Sequence, residues 1–158
     1  MLIRSFRMQK QYKYNSESGF SLIEVLLVVA LIAMAAGISA TLYTDYQTRN
    51  ELDLTAQKVT QAIRTAQTNA QSMKNNSTWG VYVTNNEITV FEGVDYATRN
   101  TDSDFTLEVS GRVNHSGIGE IIFSKYYGVP DTTGDINLTA INGSTAQLVI
   151  NEKGVVDY

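Results

Sequence analysis

The chain has 158 residues, with 12 Lys and Arg against 16 Asp and Glu, one His, one Pro and no Cys. Without cysteine there is no disulfide, no zinc–thiolate site and no thiol nucleophile. The net charge of −4 is uneven: residues 1–19 carry Arg4, Arg7, Lys10 and Lys13 against Glu17, for +3, which leaves −7 on the rest. An acidic body argues against general affinity for nucleic acid, whose phosphates attract basic surfaces.

Residues 1–19 are polar, basic and without clear periodicity. Gly19-Phe20-Ser21-Leu22-Ile23-Glu24 follows, and after Glu24 no charged side chain occurs until Asp45. Residues 25–44 are therefore twenty positions without formal charge. As a helix they would span about 30 Å, the thickness of a bilayer's hydrocarbon core. A basic start before such a run keeps the N-terminus cytoplasmic.

On these residues alone three readings stand. The basic stretch is a leader removed after Gly19, or the whole is a secretory signal cut at the small residues Ala33-Met34-Ala35, or residues 20–42 are an uncleaved anchor. The last two leave Glu24 as an accident. A carboxylate at the bilayer centre costs about 2.5–3.5 kcal/mol, and less near the edge, where it can reach water.

The stretch from Gly19 to Glu24, with the apolar run behind it, resembles the N-terminus of the type IV pilin and type II secretion pseudopilin superfamily. Its prepilin signature is Gly-Phe-Ser/Thr-Leu-Ile-Glu. The resemblance implies that a prepilin peptidase and methyltransferase cuts between Gly19 and Phe20 and methylates the new α-amine of Phe20. It also implies assembly of the N-terminal helices into a filament core. There a buried carboxylate needs a partner, which the amine of a neighbouring subunit supplies, so that Glu24 sets the axial register. The implied partners are that enzyme, other pilin or pseudopilin subunits, an inner-membrane assembly platform and membrane lipid. The implied divisions are a leader at 1–19, a transmembrane and filament-core helix half at 20–44, and an α+β domain outside the membrane at 45–158. The chain departs from many pilins in having no C-terminal disulfide and no proline in this helix, since its only proline is Pro130. Small residues from Ala30 to Ala40 suit close helix packing, and Gly37 is a weak point in the helix.

Past the apolar run, Leu52, Ala56, Val59, Ile63, Ala66, Ala70 and Met73 recur every three or four residues. They form one stripe that packs a helix onto a sheet, and Asn75-Asn76-Ser77 ends it. From Thr78 the period is two. Trp79, Val81 and Val83 alternate with Gly80, Tyr82 and Thr84, then turn at Asn85-Asn86 into a strand with Ile88 and Val90 on one face and Thr89 and Phe91 on the other. Residues 93–103 read as a polar loop. Phe105, Leu107 and Val109 make a third strand, Asn114-His115-Ser116-Gly117 a turn, and residues 120–123 a fourth strand. Residues 136–141 and 146–150 flank Asn142-Gly143, a strong hairpin signal, and Val155-Val156 adds a last strand. The fold class is α+β: a long helix packed on an antiparallel sheet, pilin-like.

Little in this body suggests chemistry. His115, the only histidine, is expected to be solvated in its turn. The carboxylates form no pair for acid–base work. Asp131-Thr132-Thr133-Gly134-Asp135 lacks the ligand spacing of a calcium loop. No enzymatic activity, cofactor or metal is expected.

The Trp79-Gly80-Val81-Tyr82-Val83 strand and the closing Ile150-Asn151…Gly154-Val155 segment are similar to the minor pseudopilins of the general secretion pathway H type. Some relatives of that type take up DNA through a C-terminal Gly-Arg-x-Arg stretch. Here that end reads Gly154-Val155-Val156-Asp157, with a carboxylate and no arginine, while Gly111-Arg112-Val113-Asn114 retains one arginine in a different place, which argues against DNA capture. The expected function is a structural, minor subunit of a pilus or pseudopilus. The alternative is a tip or adaptor subunit whose loops, such as 93–103 and 128–135, contact DNA, a surface or a secreted substrate.

Overall fold

The computed structural model describes residues 19–157, and the side chains of 38–42 also lie outside the described set. Residues 1–18 of the expected leader are therefore outside the described residues. Helix α1 (Leu22–Gln71) is followed by a short 3-10 turn (Lys74–Asn76) and eight strands. These are β1 (Trp79–Val83), β2 (Glu87–Glu92), β3 (Asn100–Glu108), β4 (Val113–Gly117), β5 (Glu120–Phe123), β6 (Gly134–Ala140), β7 (Thr145–Ile150) and β8 (Val156–Asp157). The chain divides into two units between Ser39 and Ala40.

In the first unit the apolar side chains of α1, including Leu22, Ile23, Leu26, Leu27, Leu31 and Ile32, are exposed on every side. A helix apolar all round is made for burial in lipid or among other helices. Among the described residues no helix is long and apolar enough to cross a membrane. The side chains of 38–42, inside the uncharged run, lie outside the described residues.

In the second unit the expected stripe is the core face of α1: Leu52, Ala56, Val59, Ile63, Ala66 and Ala70 are buried, joined by Ala62. Met73 does not belong to it. The helix ends at Gln71, Met73 takes a left-handed φ of 52°, and its side chain is exposed. The residue after a helix end often turns this way so that following N–H groups satisfy the last carbonyls, as Met73 N–H does for Ala70 at 3.1 Å, and the turn carries the side chain off the stripe.

Two antiparallel four-stranded sheets face this helix, in the orders β3-β2-β1-β5 and β4-β6-β7-β8. The single sheet expected from the sequence is thus two. Between β4 and β5 the chain changes sheets, and Gly117 (φ 93°) is the residue at the crossing. A Cβ there would run into the Asp135 carbonyl. Trp79, Val81, Val83, Ile88, Val90, Ile121 and Phe123 from the first sheet meet Ile136, Leu138, Leu148 and Ile150 from the second in one core.

Two loop expectations are corrected. β3 begins at Asn100, inside the expected loop, and residues before it fold back over the first sheet's outer face. Tyr96 stacks on Tyr82 at 3.9 Å and sets its edge against Phe91 at 5.6 Å. Arg99 lies 3.7 Å above the Tyr96 ring and pairs with Asp104 at 2.8 Å. Residues 114–117 are strand β4, paired with β6, rather than a turn. His115 is half-buried: its N–H donates to Asn85 Oδ1 at 2.7 Å and its Nε2 lies 2.8 Å from the Ile118 carbonyl. Both stretches are polar strands at sheet edges, where one side faces water and alternation is lost. The Asn142-Gly143 hairpin forms as expected, with Gly143 at φ 84°.

Candidate functional site

Gly19, Phe20 and Ser21 precede the first turn of α1. Ser21 is the N-cap. Its carbonyl accepts the N–H groups of Glu24 (3.1 Å) and Val25 (3.2 Å), and its Oγ also accepts from Glu24 N–H at 3.3 Å. A helix start leaves four backbone donors without partners, and a serine oxygen three residues before a glutamate answers one of them. The Ser-x-x-Glu spacing was visible in the sequence, hidden inside the longer signature.

Glu24 sits in that first turn, where the positive end of the helix dipole favours a carboxylate. It is exposed, and among the described residues it has no ion pair. Phe20 and Val25 flank the cap at the positions of a hydrophobic staple. With Glu24, Val28 and Val29 they line one shallow groove. The structure therefore brings Phe20 and Glu24 to the same side of the helix start.

Among the described residues Gly19 has no neighbour within 4 Å of where a Cβ would stand, and its φ is not in the left-handed region, so none of them requires glycine there.

Residues 14–40 match the family model for the prokaryotic N-terminal methylation motif. The chain carries the prepilin-type signature of type IV pilins and pseudopilins. No curated protein and no solved structure matches it. The signature supports a pilin-like or pseudopilin subunit, of a kind that is structural rather than catalytic, processed by a prepilin peptidase and assembled with other such subunits. It implies a membrane-anchored precursor that later enters a filament.

The other residues singled out in this prepilin-type chain are tied up locally. Asp131 Oδ1 accepts from Ile122 N–H at 2.8 Å, while Asp135 Oδ2 accepts from Gln147 at 3.0 Å. The two carboxylates of that loop thus serve different strands. Among the described residues no group of three or more His, Cys, Asp or Glu could hold a metal ion. Arg112 lies 3.7 Å from Glu51, whose other oxygen accepts from Ser110 at 2.9 Å. Its charge is answered within the domain, which makes it a poor phosphate site.

Proposed function

We propose that this chain is a minor subunit of a type IV pilus or a type II secretion pseudopilus. Residues 1–19 are the leader, cut between Gly19 and Phe20, and Phe20 is the residue methylated. Residues 20–44 hold the precursor in the inner membrane and afterwards lie in the filament core, with residues 45–158 outside. The supporting observation is Glu24: one carboxylate, without an ion pair among the described residues, on an otherwise apolar, exposed helix start, beside the residue that would carry the new amine. In a dry helix bundle an unpaired carboxylate is costly, whereas one matched with the Phe20 amine of a neighbour is not. A wrong axial register leaves that charge alone, so Glu24 acts through specificity. The Trp79–Val83 strand and the Ile150…Val155 segment favour the H-type minor group.

Mass spectrometry of the mature N-terminus tests the reading. Methyl-Phe20 is expected. A start at Ala36 would make the chain a secreted soluble protein instead, and an intact first nineteen residues would make it a plain anchor. Gly19→Ala is expected to accumulate uncut precursor without loss of folding. Glu24→Ala is expected to be processed normally yet fail to enter filaments, and normal incorporation would remove the register role.

A further inference from the structure

The second unit presents four sheet edges. The outer edge of β5 is occupied: Asp131 N–H donates to the Ile122 carbonyl at 2.9 Å, and Ile122 N–H to Asp131 Oδ1 at 2.8 Å. On β4, Asn85 Oδ1 takes the His115 N–H. β3 carries Asp102, Asp104 and Glu108, and charges along an edge discourage an added strand.

The edge of β8 differs. Asn151 N–H donates to the Val155 carbonyl at 3.1 Å, and Val155 N–H donates to Asn151 Oδ1 at 3.0 Å, so residues 151 and 155 face each other at a bonding position. Such positions alternate along an antiparallel ladder. Ile150 and Val156, the next pair, are therefore not bonded to each other, and the N–H and C=O of Val156 point away from β7. No protein group among the described residues meets them there.

Val156, which keeps 7% exposure, lines a groove of about 510 Å³ between β8 and α1, with Gln57, Thr60, Gln61, Arg64 and Thr68 on the helix side. Along α1 the lining runs from Gln57 to Asn69, about 18 Å of helix, which matches roughly five residues of strand. The turn before β8 is tied to the same helix. Gln67 Nε2 donates to the Lys153 carbonyl at 2.8 Å, and Gly154 (φ 75°) leaves no room for a Cβ, which would lie 2.5 Å from that nitrogen. Amide and hydroxyl side chains suit the edge of a peptide backbone. Arg64 is exposed and has no ion pair among the described residues. Asp157, the next residue on β8, points to the opposite face by strand alternation and does not answer it.

We propose that this groove takes an extended segment of a partner protein as an additional strand on β8, with an acidic side chain of that segment on Arg64. Unpaired backbone groups supply affinity in such strand additions, and side chains supply selectivity.

The test uses the full chain in detergent and a fluorescein-labelled peptide, Thr-Val-Thr-Glu-Thr-Val-Thr, followed by fluorescence anisotropy. Saturable binding is expected, together with slowed amide exchange at Val156. Methylating alternate backbone nitrogens of the peptide should abolish binding. Replacing its Glu by Gln, or Arg64→Gln in the protein, should weaken it about tenfold, with the loss shrinking at high salt. Arg64 is exposed, so its variant should fold, and Thr60→Trp provides an independent block of the groove. Absence of saturable binding would overturn the proposal, as would equal binding of the methylated peptide. Protection of Val156 that rises with protein concentration in the absence of peptide would place a second copy in the groove, and that also overturns it.

Discussion

Gln67 is the residue whose replacement tests the construction of the domain most sharply. Its side-chain nitrogen donates to two carbonyls from different loops, Gly128 at 3.0 Å and Lys153 at 2.8 Å. It thereby fixes the loop after β5 and the turn before β8 onto α1. Each bond contributes about 0.5–1.5 kcal/mol net, so Gln67→Ala should cost about 1–3 kcal/mol, toward the lower end because the Lys153 bond is exposed. For a domain of this size that lowers Tm by about 4–10 °C. Gln67→Glu keeps the shape but turns a carboxylate toward two carbonyl oxygens, and should cost more than alanine at pH 7. Its carboxyl can donate one of the bonds only when protonated, so its folded-state pKa is raised. The recovered stability is then complete below the ordinary glutamate pKa and is lost as pH rises through the higher folded value. Thermal unfolding followed by Trp79, the one tryptophan and a buried one, measures this between pH 4 and 7. If the Glu variant matches wild type, or tracks the Ala variant at every pH, the amide is not what holds these loops.

Three further outcomes are expected. Gly80→Ala should destabilise by about 1–3 kcal/mol in the same melts, because the new methyl meets the fully buried Phe91 ring and stands 3.0 Å from the Ile121 carbonyl; Phe91→Leu in the same chain should restore part of the loss. Hydrogen bonds from Ser103, Asn75 and Asn100 hold the Glu92 carboxylate below its ordinary range, so the tie to β3 persists above that range and is lost as pH falls through the folded value. Once the intrinsic pH dependence of exchange is divided out, the protection of amides over residues 93–103 should fall on acidification, and Glu92→Gln should flatten that response. Ser21→Ala should fray the first turn of α1 at a cost of about 1 kcal/mol, seen as faster exchange at Glu24, whereas Ser21→Thr should not.

Much of this architecture is readable from local pattern. The stripe from Leu52 to Ala70 follows the helix period, and β1, β2, β5, β6 and β7 announce themselves through alternation and through Asn142-Gly143. The division into two sheets was not readable, because partner choice depends on residues far apart in the chain. β4 and the start of β3 were hidden for another reason: His115, Ser116, Thr101 and Asp102 are residues a loop would also carry. At the helix start, Gly19, Phe20 and Glu24 stand out by type and spacing, while the capping work of Ser21 needs the backbone to be seen. The groove at β8 was invisible in the sequence, since it depends on the phase of a ladder that only the fold sets.

The path of the chain through its sheets has a consequence for how the domain matures. After β3 it crosses to lay down β4, returns for β5, and crosses again for β6, β7 and β8. β4 therefore waits for a neighbour that emerges only seventeen residues after its own last residue, and the layer it belongs to is finished by the final two positions of β8. A ribosome-bound or half-exported chain would hold one complete layer against an apolar helix with nothing on its other flank, so folding should proceed as one late event, in which losing the tail strands undoes both layers together.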